Sequence, residues 1–208
     1  MITDIVIVPG APLLLPEYQG RVAAAPGLLE SCVGVLREAV ASAHHVVVVH
    51  ATDREARSSK PAVGLRVADH LLAATHENFD VEHVAAPWDA TVEECVALGQ
   101  TMESPAETTL LVVADGSARR TEKAPGHLDP RSEAVDDVIV HAIRESAEGG
   151  LTRLLDLDPE LCDELLVAGR AALQVLAAAA GATRYRVEQC DVSDPFGVLY
   201  VVAHLTLS

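Results

Sequence analysis

The sequence predicts a three-layer α/β fold, in which a mainly parallel or mixed central sheet lies between two layers of helices. Short runs of β-branched residues alternate along the chain with longer segments of helical period. Half of the residues are hydrophobic but only 3% are aromatic, which is expected when helices pack closely on a sheet. Neither an internal repeat nor a low-complexity linker interrupts the 208 residues, so we expect a single domain over residues 1–208.

In the first half of the chain, predicted strands alternate with predicted helices. Strands are expected at residues 5–8, 46–49 and 81–85. The first ends at Pro9-Gly10, and the second is a continuous apolar run, which is typical of a strand covered on both faces. Apolar residues at helical spacing predict helices over 28–40 and 64–75. Thr91 and Glu94 have the spacing of a capping box, which predicts that a third helix begins there.

The second half of the chain continues this alternation and closes with two strands. Residues 110–113 form the next predicted buried strand. Asp129-Pro130 predicts the start of a helix that ends at Gly149-Gly150, and Asp158-Pro159 precedes an Ala-rich helix that ends near Gly181. Residues 184–192 and 198–207 are predicted to be strands that pair antiparallel across Asp194-Pro195-Phe196-Gly197.

Charge and composition exclude several classes of partner. The chain has 15 Lys and Arg residues against 31 Asp and Glu residues, and the net charge of −16 repels nucleic acid and anionic lipid.

The most apolar stretch, residues 165–182, contains Arg170 and Gln174 and therefore predicts a buried helix rather than a membrane span. The start of the chain lacks the basic segment of a signal peptide, and no two cysteines have CxxC spacing. We therefore expect a cytoplasmic protein whose thiols are reduced and buried. The cysteines are Cys32, Cys95, Cys162 and Cys190.

Loops that follow parallel strands predict the position of a ligand site, because ligands bind beyond the carboxyl ends of such strands. The loops concerned are 9–27, 50–63 and 114–128. Six basic residues occupy the last two loops: Arg54, Arg57, Lys60, Arg119, Arg120 and Lys123. One interpretation is a pocket for a carboxylate or phosphate group. The alternative is that these are solvated charges paired with Asp53, Glu55 and Glu122.

Individual candidates follow from their positions in these loops. The catalytic candidates are His50, Asp115 and His127. The ligand-binding candidates are Gly10, His50, Asp115, Ser117, Arg119 and Arg120. His50 ends a strand, where a purely structural role is the alternative, and His127 either faces the pocket or is exposed in its loop. Ser117 has no assignable base, and the chain lacks the glycine-rich phosphate loops and the nucleophile elbow of the hydrolases.

Three segments together resemble the class III extradiol ring-cleavage dioxygenases, specifically the superfamily formed by their catalytic subunits. Val8-Pro9-Gly10-Ala11-Pro12-Leu13-Leu14-Leu15-Pro16-Glu17 is similar to the family's Val-Pro-His-Pro-Pro-Leu-Leu-Leu-Pro-Glu. Residues 114–121 resemble its Gly-Asp-Leu-Ser-His-Arg-Leu-Thr, and residues 194–200 resemble its C-terminal Pro-Phe/Tyr-Gly-Val-Gly-Tyr. The resemblance implies that family's fold, iron(II) held by two histidines and a carboxylate, a further acid/base histidine, and assembly as a homodimer or with a second, smaller chain.

The residues that would perform this chemistry differ here. The resemblance aligns the first metal histidine with Gly10, the second with Thr52 and the acid/base histidine with Ala118, while the carboxylate ligand has no secure match, although Asp191 and Asp194 lie nearby. We therefore expect a metal-free relative that does not cleave rings and keeps a cleft for a small anionic ligand or a partner. The alternative is an active non-haem iron oxidoreductase whose unorthodox Fe(II) site uses His50 with residues drawn from Asp53, Asp115 and Asp194.

Overall fold

The structure, a computed structural model, describes residues 1–20, 25–41, 43, 45–55, 60–77, 80–105 and 107–208. The strands are β1 (Ile2–Val8), β2 (His45–Ala51), β3 (Asp80–Ala86), β4 (Thr108–Val113), β5 (Tyr185–Ser193) and β6 (Tyr200–Leu207). The helices are α1 (Pro26–Val40), α2 (Val63–Thr75), α3 (Val92–Thr101), α4 (Arg131–Arg144), α5 (Pro159–Glu164) and α6 (Arg170–Ala180). Short 3-10 helices lie at Pro12–Leu14, Pro16–Tyr18, Ser146–Glu148 and Gly150–Asp156.

The six strands form one mixed sheet in the order β3-β2-β4-β1-β6-β5. The first four strands in this order are parallel, whereas β6 runs antiparallel to both β1 and β5. The predicted α/β class and the predicted antiparallel pairing of the two closing strands are therefore confirmed. β2 and β4 lie inside the sheet, and all six residues of β4 are buried. This explains why their sequences are continuously apolar rather than alternating.

Helices cover both faces of the sheet and create two hydrophobic cores. α1 and α2 pack on one face through residues such as Leu36 and Leu71. On the other face, α3, α4, α5 and α6 contribute residues such as Cys95, Ile139 and Leu176. The chain therefore leaves β1 and β2 toward one face but leaves β3 and β4 toward the other. A crevice opens beyond the carboxyl end of β4, between its loop and the loops that follow β1 and β2, and this topological switch point is where open α/β sheets bind ligands.

The predicted Ala-rich helix over 165–182 is wrong in its first five residues. α5 ends at Glu164, residues 165–169 form an irregular connection, and α6 begins at Arg170. Leu166 in this connection has a positive φ of 57°. A Cβ on Gly169 would lie 2.5 Å from the Cβ of Ala114 and 2.6 Å from the backbone nitrogen of Asp115. The connection therefore packs directly against the end of β4, at a distance that a side chain would prevent.

The start of α3 agrees with a local signal in the sequence, whereas the end of α4 does not. Both hydrogen bonds of the predicted capping box at Thr91 are present, and α3 begins at the next residue. α4 ends at Arg144, five residues before the predicted stop at Gly149. Two 3-10 helices then continue the chain to Asp156. All four cysteines are free thiols; Cys32, Cys95 and Cys162 are buried as predicted, whereas Cys190 is half-buried. Within the described residues, no helix combines the length and the apolar character needed to cross a membrane.

Candidate functional site

A cleft of about 1140 Å³ opens at the switch point of the sheet. It is lined by residues that follow four parallel strands, among them Gly10 after β1, Thr52 after β2, Trp88 after β3 and Asp115 after β4. The connection between α5 and α6 closes another side of the cleft. The cleft is therefore located where the strand order alone predicts a ligand site.

Asp115 is fixed in the cleft by its neighbours on both sides. Its Oδ1 accepts a hydrogen bond of 3.0 Å from the backbone N–H of Gly10, and its backbone oxygen accepts one of 3.1 Å from the N–H of Gly169. Its Oδ2 accepts no hydrogen bond from the described residues. Burial removes water from the carboxyl group and raises its pKa from 3.8 to about 7, although the Gly10 N–H partly opposes this shift.

Arg170 is a buried cation whose direct partners are uncharged. The residue is only 4% exposed, yet it lines the cleft at the first position of α6. Its guanidinium group donates to the backbone oxygens of Trp88 and Ala90 and to the side-chain oxygen of Gln174. No carboxylate of the described residues contacts it. A buried charge without an opposite charge is unfavourable, and neutral oxygens stabilise this one.

Three further cations line the cleft from the side of β2 and α2. Arg54 pairs with Asp163 at 2.9 Å and lies 5.1 Å from the centre of the Trp88 ring. Lys60 and Arg66 both pair with Glu17. Arg66 also lies over the ring of Tyr18, at 5.5 Å. In the part of this strongly acidic chain that the structure describes, four Lys and Arg residues therefore border one cleft.

The basic residues of the loop after β4 do not line this cleft. Arg120 donates to Asp136 at 2.7 Å and to Asp194 at 2.8 Å. Asp136 also accepts hydrogen bonds from the backbone N–H and the hydroxyl of Ser117, at 2.8 and 2.6 Å. Ser117 and Arg120 thus hold the loop against α4 and against the connection between β5 and β6. They form a structural network rather than part of the cleft.

Arg119 and Lys123 also lie off the cleft, and Arg57 lies outside the described residues. Arg119 is half-buried, and its Nε is buried without a hydrogen-bond partner in the described residues. Lys123 is exposed at the surface of the same loop. Of the six basic loop residues, the structure therefore brings Arg54 and Lys60 to the cleft.

Neither His50 nor His127 lines the cleft. His50 is 3% exposed and packs under the start of α2, where its Cβ lies 3.1 Å from the position of a Cβ built on Gly64. Its Nδ1 lies 3.0 Å from the backbone oxygen of Ala51. His127 is exposed, has a φ of 58° and lies with its Nδ1 3.4 Å from the backbone oxygen of Glu122.

The described residues do not fit the iron site that the sequence resemblance implies. Gly10 offers no donor side chain, and the hydroxyl of Thr52 accepts a hydrogen bond from the Trp88 N–H. Asp53 accepts a hydrogen bond from the Val63 N–H at the start of α2, while Asp194 is engaged by Arg120. No group of three His, Cys, Asp or Glu residues in the described ranges is placed to hold a metal ion.

The cysteine thiols near the cleft are held in their protonated form. Cys162 lines the cleft, and burial raises the pKa of its thiol to about 12. Burial likewise raises the pKa of Cys32 to about 12, and the nearby charge of Asp115 adds to this effect. Both sulfurs are therefore protonated at neutral pH, and only a thiolate attacks an electrophile efficiently.

Arg66, Trp88 and Arg170 line the cleft although none of them is among the candidates that the sequence predicts. Arg66 lies in the first turn of α2, and Trp88 is the single tryptophan of the chain, but neither belongs to a recognisable motif. Arg170 carries a usable signal, because a charged residue interrupts an otherwise apolar run. Such residues are rarely buried unless something compensates them.

Comparisons with known proteins add no relative to this picture. No protein-family model matches the sequence, and no curated protein matches it either. The chemistry of the cleft therefore has to be inferred from its own residues.

Proposed function

We propose that the protein binds a small organic anion in the cleft and does not cleave aromatic rings. The observation that carries this proposal is Arg170, which is 4% exposed, lines the cleft and contacts no carboxylate of the described residues. A bound carboxylate or phosphate group would provide the missing negative charge. Interactions of this kind are stronger than neutral hydrogen bonds, particularly where water is excluded.

Six carboxylates of the described residues also line the cleft, against four cations, and three of the six accept a hydrogen bond or pair with a cation. Asp163 pairs with Arg54, Asp53 accepts the Val63 N–H, and Asp115 accepts the Gly10 N–H. The Asp163–Arg54 pair is solvent-exposed, with 39% and 51% of the side chains accessible, so a ligand can replace the carboxylate at little cost. Arg54 and Arg170 therefore remain available to an anion.

The proposed relationship to the extradiol dioxygenases has one further support. Gly10 and Thr52, which the resemblance aligns with the metal histidines, both line the cleft. We infer a relative whose cleft persists after the loss of those histidines. The donors of the iron-dependent alternative do not form a group of three in the described residues, and anaerobic purification followed by metal analysis and a catechol cleavage assay tests that alternative directly. Stoichiometric iron together with ring opening would overturn the metal-free proposal.

Ligand binding can be tested by thermal unfolding in the presence of phosphate, benzoate and phenylpyruvate, with calorimetric titration of any anion that stabilises the fold. We expect an increase in Tm that grows with anion concentration, because ligands that bind only the folded state stabilise it. Arg170→Met and Arg54→Gln should each reduce the increase. Lys123→Gln removes the same charge from the surface off the cleft and should leave the increase unchanged. Equal responses in all of these proteins would refute the proposed site.

A further inference from the structure

We propose that the cleft catalyses keto–enol proton transfer on a small 2-oxo carboxylate, with Asp115 as the base that removes the proton. This inference rests on the proposed anion site, since it requires the substrate carboxylate to be held by the cations of the cleft. It adds a reaction and a substrate class to that binding function. It is independent of the iron chemistry that the sequence resemblance implies.

The position of Asp115 suits proton transfer, because the residue is held rigidly while one oxygen remains available. The Gly10 N–H fixes Oδ1 at 3.0 Å, and the Gly169 N–H fixes the backbone of Asp115 at 3.1 Å. Oδ2 accepts no hydrogen bond from the described residues. A base with fixed geometry and an open oxygen facing a ligand cavity meets the positional requirement of general base catalysis.

The groups that face Asp115 explain its proton affinity. Cys32 on α1 and Tyr200 on β6 are the titratable neighbours from the packed elements, and burial raises the pKa of each to about 12, so both are uncharged at neutral pH. The cations that share its cleft are Arg54, Lys60, Arg66 and Arg170, and the carboxylates are Asp53, Glu55, Asp89, Glu160 and Asp163. Among the described residues, none of these charged groups forms an ion pair with Asp115. Its pKa of about 7 leaves both protonation states populated at neutral pH, which is the condition for an efficient acid and base.

The remaining side chains favour a reaction that needs only one proton carrier. Covalent catalysis needs an activated nucleophile, but Cys162 is a protonated thiol and Ser117 is bound to Asp136 off the cleft. His50 is buried under α2. The Asp115 carboxyl group can by itself remove a proton from a carbon and return it, and the cations of the cleft lower the energy of the negative charge that develops.

The proposed step balances without an oxidant or a second reactant. The Asp115 carboxylate takes a proton from the carbon next to the keto group, and the electrons of that C–H bond form the C=C bond of the enolate. The electrons of the C=O bond move to the oxygen, where the cations of the cleft stabilise the negative charge. The protonated Asp115 then returns a proton to the same carbon or to the enolate oxygen.

The exchange of carbon-bound hydrogen for deuterium tests this step. Phenylpyruvate is incubated with the 208-residue chain in D2O, and deuterium incorporation next to the keto group is followed by NMR. We expect the wild-type chain to accelerate the exchange and Asp115→Asn to reduce this acceleration about 100-fold or more. Binding of phenylpyruvate, measured by calorimetry on the same samples, should persist in the variant. Glu122→Gln is the matched control, because it removes an exposed carboxylate from the same loop as Asp115 but off the cleft, and it should leave exchange and binding unchanged.

The wild-type pH profile provides a second test that does not depend on the folding of any variant. Because the base must be deprotonated, the exchange rate should rise about tenfold per pH unit below pH 7 and level off above it. Binding without exchange, or exchange that Asp115→Asn leaves unchanged, would overturn the catalytic inference while the anion site stands. Failure of every tested anion to bind would instead remove the proposed function itself.

Discussion

Replacing Arg120 with methionine should destabilise the fold without weakening anion binding in the cleft. Arg120 is 25% exposed, whereas its partner Asp136 is 2% exposed, and the two side chains are 2.7 Å apart. The substitution leaves a buried carboxylate whose remaining donors are the N–H and the hydroxyl of Ser117. These two donors are neutral and do not replace the lost charge.

The expected size of this effect follows from the burial of the pair. Removing one partner of a buried ion pair costs about 3–5 kcal/mol, and we expect the lower end, about 3 kcal/mol, because two donors to Asp136 remain. For a chain of this length, that loss corresponds to a decrease in Tm of roughly 6–12 °C. Urea unfolding followed by circular dichroism measures the free energy directly.

Two comparisons show whether the reasoning is correct. The Arg120→Met/Asp136→Asn double variant should be more stable than the sum of the single losses predicts, because it no longer contains an unpaired buried charge. Lys123→Met, on the exposed surface of the same loop, should change stability by less than about 0.5 kcal/mol. A loss for Arg120→Met as small as that of Lys123→Met would refute the structural role of Arg120. A smaller increase in Tm on addition of an anion would show that Arg120 belongs to the anion site.

Further predictions concern pH, packing and helix capping. Burial raises the pKa of Asp115 from 3.8 to about 7, so its contribution to stability is complete below pH 3.8 and is lost as the pH rises to 7. Between pH 5 and pH 8, the free energy of unfolding of Asp115→Asn should therefore rise relative to that of the wild type by on the order of 3 kcal/mol, measured by urea unfolding. A difference that does not change with pH would contradict this prediction. Gly169→Ala should destabilise the fold by about 1–3 kcal/mol, because the added Cβ would lie 2.6 Å from the backbone nitrogen of Asp115. Gly34→Ala, where no atom lies within 4 Å of the added Cβ, should instead stabilise α1 by about 0.5–1 kcal/mol. Thermal unfolding measures both effects, and equal effects would contradict the packing at Gly169. Thr91→Ala should cost about 1 kcal/mol by the same assay through the loss of the capping bond to Glu94, and an unchanged Tm would exclude that contribution.

Much of the fold could be predicted because its signals are local. The strands are runs of β-branched residues between turn-forming residues, and the capping box at Thr91 lies within four consecutive residues. The connection between α5 and α6 could not be found in this way. One glycine in an apolar run does not by itself end a helix, and Gly169 matters only because Ala114 and Asp115 lie against it in the fold.

The candidate site was predictable in position but only partly in composition. Gly10 and Asp115 follow strands directly, so strand order was sufficient to bring them to one cleft. The direction of a long side chain depends instead on partners far away in sequence. Arg120 is held by Asp136 and Asp194, which are 16 and 74 residues away, and these bonds turn it from the cleft. Arg170 reaches the cleft only because α6 begins there.

The central position of β1 has a consequence for how the chain folds during synthesis. β1 is synthesised before the other five strands, but its two neighbours are β4, about a hundred residues later, and β6, whose Thr206 pairs with Asp4. Until β6 has emerged from the ribosome, one edge of β1 has no hydrogen-bonding partner in the sheet, and such an edge can pair with other chains. Contacts this distant in sequence also slow folding. We therefore expect nascent chains that end before Tyr200 to depend on chaperones and to aggregate when released.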